Sequence, residues 1–417
     1  MKRFWLILMM LLSLALISGC GDDAEDVDEP GEATEEAAEE TTEEAAPEQA
    51  ELQELKIGVL SDLSGPTGDV GNPYAEGVMD CIAYLNANGG VGGYEIVAYQ
   101  EDYAYDVQKA LTYYEQFKNK GIVALQGWGT GDTEALMSFV AQDEIPTLSA
   151  SYSAHLTDPN TAPYNFFVAA DYTTQMRAAL KYFADNWSGS EAPKLALIYP
   201  DHPYGLSPIE GAKAYAEELG FEIVGEVNVE LRAMDATTQL TDLMEDSPDY
   251  VWIGGTTDST SVILKDAEKL GFETTFFINI WGNDENLVEL AGDAVNGHIG
   301  LQATAVYDDD TPGTTVIREI TGGEHKMTHY VRGFASMLVM AEGIRIAAEQ
   351  GEVTGPSLKA ALESLRDFDP MGLTPPISYF EDDHRPNLSV NLYELQADGL
   401  HFKASQTLER KAEWLGM

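Results

Sequence analysis

Six short segments rich in serine, threonine, glycine and aromatic residues each follow a stretch that we predict to be a β-strand. They are Ser61–Asn72, Gly127–Asp132, Ser149–Ser153, Pro200–Tyr204, Gly254–Asp258 and Trp281–Glu285. Their hydroxyl groups and backbone amides can form hydrogen bonds, and the rings of Trp128, Tyr152, Tyr204 and Trp281 can form apolar walls. A few polar groups set among aromatic surfaces are typical of a binding site for a small organic solute.

The same segments lack the residue patterns of common cofactor and catalytic sites. Ser61–Gly68 does not match the G-x-G-x-x-G pattern of dinucleotide binding, and Gly127–Gly131 lacks the lysine of a phosphate-binding loop. There is no G-x-S-x-G elbow, and the seven histidines show no H-E-x-x-H spacing. Asp258, Asp284 and Glu285 could act as paired acids, but carboxylates at such positions more often cap a helix. We therefore expect no enzyme activity, no metal and no cofactor, and interpret Gly127–Gly131 as a tight turn that offers amides to a carboxylate.

The elements that must position these segments follow from short apolar runs that alternate with helical patterns. The predicted strands are Leu55–Leu60, Glu95–Tyr99, Ile122–Leu125, Pro146–Leu148, Leu195–Tyr199, Glu222–Val227, Tyr250–Ile253, Thr275–Ile280, His298–Gln302, Ile377–Phe380 and Ser389–Leu395. The predicted helices are Tyr74–Asn88, Val107–Asn119, Thr133–Gln142, Ile209–Leu219, Ala236–Met244, Ser259–Leu270, Glu285–Ala291, Tyr330–Ala348 and Ser357–Leu365. Alternation of this kind, in two consecutive sets, indicates two α/β lobes with doubly wound parallel sheets. Ligands bind beyond the carboxyl ends of such strands, where the six segments lie.

The N-terminal residues predict where the protein works. Two basic residues, an apolar run over residues 4–17 and small residues before Cys20 follow the order of a secretory signal peptide, residues 1–19. The run is shorter than the about 20 apolar residues that a membrane span needs. Residues 17–20 resemble the lipobox of bacterial lipoproteins, which implies a lipid on Cys20 and an extracytoplasmic chain held to a membrane. An ordinary secretory signal with a chance cysteine is the alternative.

Residues 20–54 form a strongly acidic segment. Between Gly21 and Leu55 there are sixteen Asp or Glu and no Lys, Arg or aromatic residue. Because such a segment cannot bury enough apolar area to offset its ordering entropy, we predict a disordered spacer, with a calcium-binding tail as the alternative. The formal net charge of the whole chain, −48, makes nucleic acids and anionic lipid surfaces poor partners.

The residues after this segment are too many for one hydrophobic core, so about two domains are expected. Cys20 and Cys81 are the two cysteines of the chain. If Cys20 carries a lipid, Cys81 has no partner for a disulfide within the chain. Its apolar surroundings in a predicted helix indicate a buried small residue rather than a reactive thiol.

Two stretches of the chain are similar to a known family. Residues 57–93, IGVLSDLSGPTGDVGNPYAEGVMDCIAYLNANGGVGG, resemble the opening of the leucine/isoleucine/valine-binding type of solute-binding protein. These are type I periplasmic binding proteins that feed importers of the ATP-binding-cassette (ABC) class. Thr374–Tyr379 with Asp383–Arg385 resembles their C-terminal signature. The resemblance, from about Leu55 to about Phe402, implies two lobes joined by three crossovers, a ligand closed between them and a membrane permease as partner.

The resemblance also implies domain boundaries and ligand contacts. Lobe I would comprise residues 55–171 and 304–376, lobe II residues 172–303, with strands and a tail at 377–417 packed on lobe II or the hinge. Trp128–Thr130 and Ser149–Ser153 match loops that take a ligand carboxylate, and Tyr204 matches a tyrosine that packs over the ligand. Either Asp284 or Glu285 would pair with an α-ammonium group. The implied ligand-binding residues are Trp128, Gly129, Thr130, Ser149, Ser151, Tyr152, Ser153, Tyr204, Thr256, Trp281, Asp284 and Glu285.

A branched-chain or related amino acid is the first expected ligand of such a receptor. The rings of Trp128, Tyr152 and Trp281 are a heavy aromatic load for an aliphatic ligand, so an aromatic acid or aromatic amino acid is the alternative. Several of these rings could instead pack under the loops. Ligand binding would stabilise a closed form that docks on the permease. An extracytoplasmic sensor with the same lobes is a further alternative.

Overall fold

The computed structural model describes residues 52–417, which belong to one compact unit. The predicted signal peptide, Cys20 and nearly all of the acidic segment lie outside the described residues. The strands are β1 Gln53–Ser61, β2 Tyr94–Asp102, β3 Ala124–Gly127, β4 Thr147–Ser149, β5 Asn165–Phe166, β6 Lys194–Tyr199, β7 Glu222–Asn228, β8 Tyr250–Ile253, β9 Thr275–Ile278, β10 Ile299–Gln302, β11 Ser389–Gln396 and β12 Gly399–Thr407. The helices are α1 Gly68–Ala87, α2 Val107–Asn119, α3 Thr130–Asp143, α4 Tyr172–Asn186, α5 Pro203–Leu206, α6 Ile209–Glu218, α7 Thr237–Met244, α8 Thr257–Leu270, α9 Glu285–Ala291, α10 Pro312–Ile320, α11 Thr328–Gln350 and α12 Gly355–Glu363.

Two sheets organise the described residues into two lobes. The first sheet has the order β2-β1-β3-β4-β5 with all pairs parallel, and with α1–α3, α11 and α12 it forms lobe I. The second sheet, in lobe II with α4–α9, has the order β12-β11-β10-β9-β8-β6-β7 and is parallel except where β11 pairs with β10 and β12. The predicted fold class, two doubly wound α/β lobes, is therefore confirmed.

The chain passes between the lobes three times. It leaves lobe I between β5 and α4, returns between β10 and α11, and enters lobe II again between α12 and β11. The boundaries predicted at 171/172, 303/304 and 376/377 stay predictions, and each falls within one of these three passages.

Some predicted element bounds were wrong. Helix α1 begins at Gly68 rather than Tyr74, because the turn before it already supplies hydrogen bonds from Val70 N and Gly71 N to the Thr67 carbonyl oxygen. Residues 377–380 take part only in isolated bridges rather than a strand, because no strand of either sheet pairs with them. Helices α4, α5 and α10 and strands β5 and β12 were not predicted.

Helices α1 and α11 cross in close contact in lobe I, and two glycines make this possible. A Cβ atom on Gly77 would collide with the carbonyl oxygen of Tyr330, and one on Gly333 would collide with that of Tyr74. Cys81, on the same helix α1, is fully buried as predicted, and burial raises the pKa of its thiol well above the ordinary value. Among residues 52–417, no helix is both long and apolar enough to cross a membrane.

Replacing Gly77 by alanine is expected to lower the free energy of unfolding by about 1–3 kcal/mol, because the added methyl group must push two helix backbones apart. Urea unfolding at equilibrium measures the change. Gly131→Ala is a matched control, since the atom nearest to its added Cβ lies 3.6 Å away, on the Val107 side chain. Equal stability of the Gly77→Ala variant and the original chain would contradict the tight crossing.

Candidate functional site

A small cavity lies between the two lobes, at the carboxyl ends of their strands. It contains about 270 Å³ of space free of protein atoms, part of which is open to solvent. Its lining residues are Thr67, Val70, Tyr105, Trp128, Gly129, Thr130 and Ala150 from lobe I, and Tyr172, Tyr204, Thr256 and Trp281 from lobe II. None of these described lining residues carries an ionised side chain. The candidate ligand site is therefore small, uncharged and lined largely by aromatic rings.

The wall from lobe I is fixed by the turns that follow β1 and β3. The buried Asp62 carboxylate accepts hydrogen bonds from Gly65 N at 2.5 Å and from the amide and hydroxyl of Thr67 at 2.8 and 2.7 Å. Thr67 Oγ1 in turn accepts one from Trp128 Nε1 at 2.9 Å, which orients the indole ring. The polar edge of Trp128 is thus used within the protein, and its ring is held in the cavity wall.

The start of α3 is held by a buried carboxylate. Asp132 accepts hydrogen bonds from Tyr103 OH at 2.7 Å and from Gly129 N at 3.2 Å, and Gly129 is the N-cap residue of the helix. Burial raises the pKa of Asp132 to about 7 despite these donors. A side chain at position 129 would collide with Tyr105, so this turn needs glycine. The turn expected at Gly127–Gly131 is therefore present, with Thr130 as the first helical residue.

The wall from lobe II uses its polar groups in the same way. Tyr204 OH donates to the Gly255 carbonyl oxygen at 2.9 Å, and Trp281 Nε1 donates to Tyr172 OH at 2.9 Å. Thr256 is the N-cap residue of α8, and its hydroxyl oxygen is buried without a hydrogen-bond partner among the described residues. That hydroxyl lies beside the Asp69 carboxyl of lobe I and lowers the pKa of that carboxyl.

Trp281 extends from lobe II into a slot formed by lobe I. Its ring lies 5.1 Å from that of Trp128 at 68°, 5.8 Å from that of Tyr152 at 22° and 5.2 Å from that of His329 at 25°, measured between centroids. The Arg332 guanidinium carbon lies 4.6 Å from its centroid. With 4% of its surface exposed, this side chain joins the two lobes beside the cavity.

Further contacts between the lobes surround the cavity. The rings of Tyr105 and His202 stack at 5.1 Å, and the Ser153 and Ser207 hydroxyls are 2.7 Å apart. Arg232 donates to the Gly65 carbonyl oxygen. These contacts describe lobes that are closed over the cavity.

A buried polar chain connects the loop before α9 to helix α11. Asp284, the N-cap of α9, accepts hydrogen bonds from Leu287 N at 2.8 Å, from the Thr257 hydroxyl and from His329 Nε2 at 2.7 Å. Arg332 Nη1 donates to His329 Nδ1 at 2.9 Å. Because arginine can only donate, His329 Nδ1 must accept, and the proton of the neutral ring lies on Nε2. Burial lowers the pKa of His329, in agreement with a neutral ring. The carboxylate and the guanidinium are thus linked through a neutral histidine.

Six of the twelve predicted site residues line the cavity and six do not. Trp128, Gly129, Thr130, Tyr204, Thr256 and Trp281 line it. Ser149, Ser151, Tyr152, Ser153, Asp284 and Glu285 do not. Ser149 donates to the Ser151 carbonyl oxygen, and the Ser151 and Ser153 hydroxyls pair with those of Thr130 and Ser207. Tyr152 packs behind Trp281, and Glu285 accepts from Thr328 N at 2.9 Å. Burial, with the charge of Asp284, raises the pKa of Glu285 to about 7. The ligand roles of all twelve stay predictions.

Sequence reasoning missed five lining residues. Thr67 and Val70 lie in the segment Ser61–Asn72, which was singled out without a choice of residues, and Ala150 lies within Ser149–Ser153. Tyr105 follows β2, whose end was placed too early, and Tyr172 begins a helix that was not predicted. The pair of tyrosines at 103 and 105, directly after a strand, is the signal that could have identified the first of these.

Comparisons with known proteins agree on one family. Residues 54–400 match the family model described as "Periplasmic binding protein". A Leu/Ile/Val-binding protein of Citrobacter freundii is 23% identical over 247 residues, which cover 59% of this chain and 66% of that protein, just under two thirds of its length. The crystal structure of an ABC transporter substrate-binding protein of Aeropyrum pernix superposes with a TM-score of 0.81 at 31% identity, covering 87% of this chain and 98% of the other. A branched-chain amino acid ABC transporter protein of Thermus thermophilus with bound valine gives 0.81 at 24% identity, with coverage of 87% and 98%.

Proposed function

Because the chain belongs to the periplasmic binding protein family, we propose that it is the extracytoplasmic solute-binding receptor of an ABC importer. The observation that carries the proposal is the cavity closed between two lobes, whose lining comes from both. A solute held there contacts both lobes only when they close, so binding shifts the population towards the closed form. A membrane permease would recognise that form. The proposal includes no chemical step on the solute.

The family works outside the cytoplasm, and the N-terminal sequence refines this location. We propose that Cys20 carries a lipid and that the acidic segment after it separates the folded lobes from the membrane surface. Both features lie outside the described residues, and the proposal for them rests on the order of basic, apolar and small residues before Cys20.

An amino acid is the ligand class that we propose first. It is supported by the names of the relatives and by the position of the cavity between the two lobes. An aromatic acid is the second candidate, because five of the lining residues carry aromatic rings: Tyr105, Trp128, Tyr172, Tyr204 and Trp281.

A thermal unfolding screen of the full chain in detergent tests the function. A ligand present at about 100 times its dissociation constant adds about 2.7 kcal/mol of stability, which raises the unfolding midpoint by several degrees. We expect such a shift with leucine, isoleucine or valine. A shift with aromatic acids alone would favour the second candidate, and a folded protein that responds to neither group would contradict the proposed ligand classes.

A further inference from the structure

Helix α8 of lobe II begins against a carboxylate of lobe I. The backbone N–H of Asp258, in the first turn of α8, donates to Asp69 Oδ2 at 3.0 Å across the cleft. The Thr256 hydroxyl, at the N-cap of the helix, lies beside the same carboxyl and stabilises its charged form. The first N–H groups of a helix have no acceptor within it, and a carboxylate there both accepts from them and interacts favourably with the helix dipole. Asp69 therefore caps α8 from the opposite lobe.

The groups that act on the Asp69 carboxyl come from lobe II. Burial, with the charges of Asp258 and Asp284, raises the pKa of Asp69 to about 6, although the Asp258 amide and the Thr256 hydroxyl lower it. A carboxylate is costly to bury without donors, so Asp69 can be covered only where the start of α8 reaches it. The contact is therefore a property of the closed lobes.

Lobe II holds the same stretch of lobe I at a second point. Arg232, which follows β7, donates to the Gly65 carbonyl oxygen and, at 3.4 Å, to that of Ser64. Between Ser64 and Asp69, lobe I thus accepts hydrogen bonds from two separate elements of lobe II.

The turn that accepts the bonds of Arg232 is braced within lobe I. Asp102 accepts hydrogen bonds from Leu63 N at 2.9 Å and from the Ser64 hydroxyl at 2.6 Å, and Asp62 accepts one from Gly65 N at 2.5 Å. Groups that are already held in place cost less free energy to order when the lobes meet. The turn is therefore preorganised for contact with lobe II.

We propose that Asp69 and Arg232 form a clasp, a pair of contacts outside the cavity that stabilises the closed lobes. This inference rests on the proposed receptor function and refines it. Asp69 and Arg232 do not line the cavity, so the clasp adds the same free energy to closure whichever solute is bound. The affinity of a site that is complete only in the closed form is scaled by the closed fraction. The clasp therefore sets how tightly the receptor binds and leaves its choice of solute unchanged.

Hydrogen exchange at the Asp258 amide tests the clasp without any solute. Asp69→Ala removes the acceptor but leaves the sequence around Asp258 unchanged, so the intrinsic exchange rate of that amide stays the same. We expect the start of α8 to exchange about fivefold faster, or more, in Asp69→Ala than in the original full chain, as measured by mass spectrometry of its peptides. Asp69→Asn keeps a side-chain oxygen as acceptor and should retain most of the protection.

Isothermal titration tests the effect on binding, with leucine and phenylalanine as probes. We expect Asp69→Ala to lose about five- to tenfold in affinity for both probes, because a helix cap that forms only on closure is removed. Asp69→Asn should lose less, and Arg232→Ala, at an exposed position, about two- to fivefold for both. Asp242→Ala, which removes an exposed carboxylate from α7, should change neither the affinity nor the exchange.

Three results would overturn the clasp. Equal exchange at the start of α8 in the original chain and in Asp69→Ala would show that Asp69 does not hold the helix. Unchanged affinity of Asp69→Ala for both probes would exclude an effect on closure, and a loss for only one probe would mean that Asp69 selects the solute instead. If the original chain binds neither probe, the proposed ligand class is contradicted and the exchange measurement alone decides the clasp. If Asp69→Ala does not fold, Arg232→Ala must show an equal loss for both probes, and its absence would contradict the clasp.

Discussion

Replacing Trp281 by alanine is expected to weaken ligand binding by at least about 100-fold. The indole ring belongs to lobe II, but it packs against Trp128, Tyr152 and His329 of lobe I and lines the cavity. Truncating a buried tryptophan costs about 3–5 kcal/mol, and here much of that loss falls on the closed arrangement of the lobes. A loss of 2.7 kcal/mol already corresponds to about 100-fold in affinity. Isothermal titration with leucine and phenylalanine measures it.

Two further variants test which part of Trp281 matters. One keeps an aromatic ring without the N–H donor, and the other removes a different tryptophan of lobe II. Trp281→Phe keeps an aromatic ring but cannot donate to Tyr172 OH, so an intermediate affinity is expected. Trp187→Ala removes a partly exposed tryptophan that packs against Tyr250 in lobe II and should leave the affinity unchanged. Full affinity in Trp281→Ala would show that the ring takes no part in the bound, closed form.

The elements of the fold could be predicted from the sequence because their signals are local. Apolar periodicity gave the bounds of α2, Val107–Asn119, and of β8, Tyr250–Ile253, as the structure has them. The order of strands within each sheet depends on pairing between distant segments, which periodicity does not contain. The same limit applies to residues 377–380, where the apolar pattern favoured a strand but no neighbouring strand pairs with them beyond isolated bridges.

The candidate site could be predicted in part for a related reason. Trp128, Tyr204 and Trp281 follow strands, and the carboxyl ends of parallel strands meet at one edge of a sheet, so their convergence follows from topology. Which side of a loop faces the cavity depends on tertiary contacts. Tyr152 shows this, since its ring packs behind Trp281 rather than lining the cavity.

The acid expected to pair with an ammonium illustrates what spacing alone cannot provide. Asp284 has the position of a helix N-cap, and the structure places it there. Its further partner, His329, comes from another lobe and lies 45 positions later in the chain. The hydrogen bond that Asp69 accepts from Asp258 N depends equally on the approach of α8 from lobe II. Whether a carboxylate is paired or free is therefore a property of the closed lobes.

Replacing Arg332 by methionine is expected to lower the free energy of unfolding by about 3–5 kcal/mol, the largest effect on stability that we predict. The guanidinium is fully buried and donates to the Ile280 carbonyl oxygen at 3.1 Å, His329 Nδ1 at 2.9 Å and Gln302 Oε1 at 2.7 Å. Methionine fills similar space but leaves the Asp284 carboxylate buried without a cation in its chain. Urea unfolding at equilibrium measures the loss.

A double-mutant cycle separates the charge chain from simple packing. If Asp284 and Arg332 stabilise one another through His329, Asp284→Asn should cost less in the Arg332→Met background than alone, because the unpaired charge is then removed. Arg345→Met on the same helix is the matched control: its side chain is 43% exposed and pairs with Glu342 and Glu349, so at most about 1 kcal/mol is expected. If Arg332→Met lowers the free energy of unfolding by no more than about 1 kcal/mol, or if the two substitutions have strictly additive effects, the charge chain is contradicted. Arg332 would then stabilise the fold only through its hydrogen bonds to carbonyl oxygens.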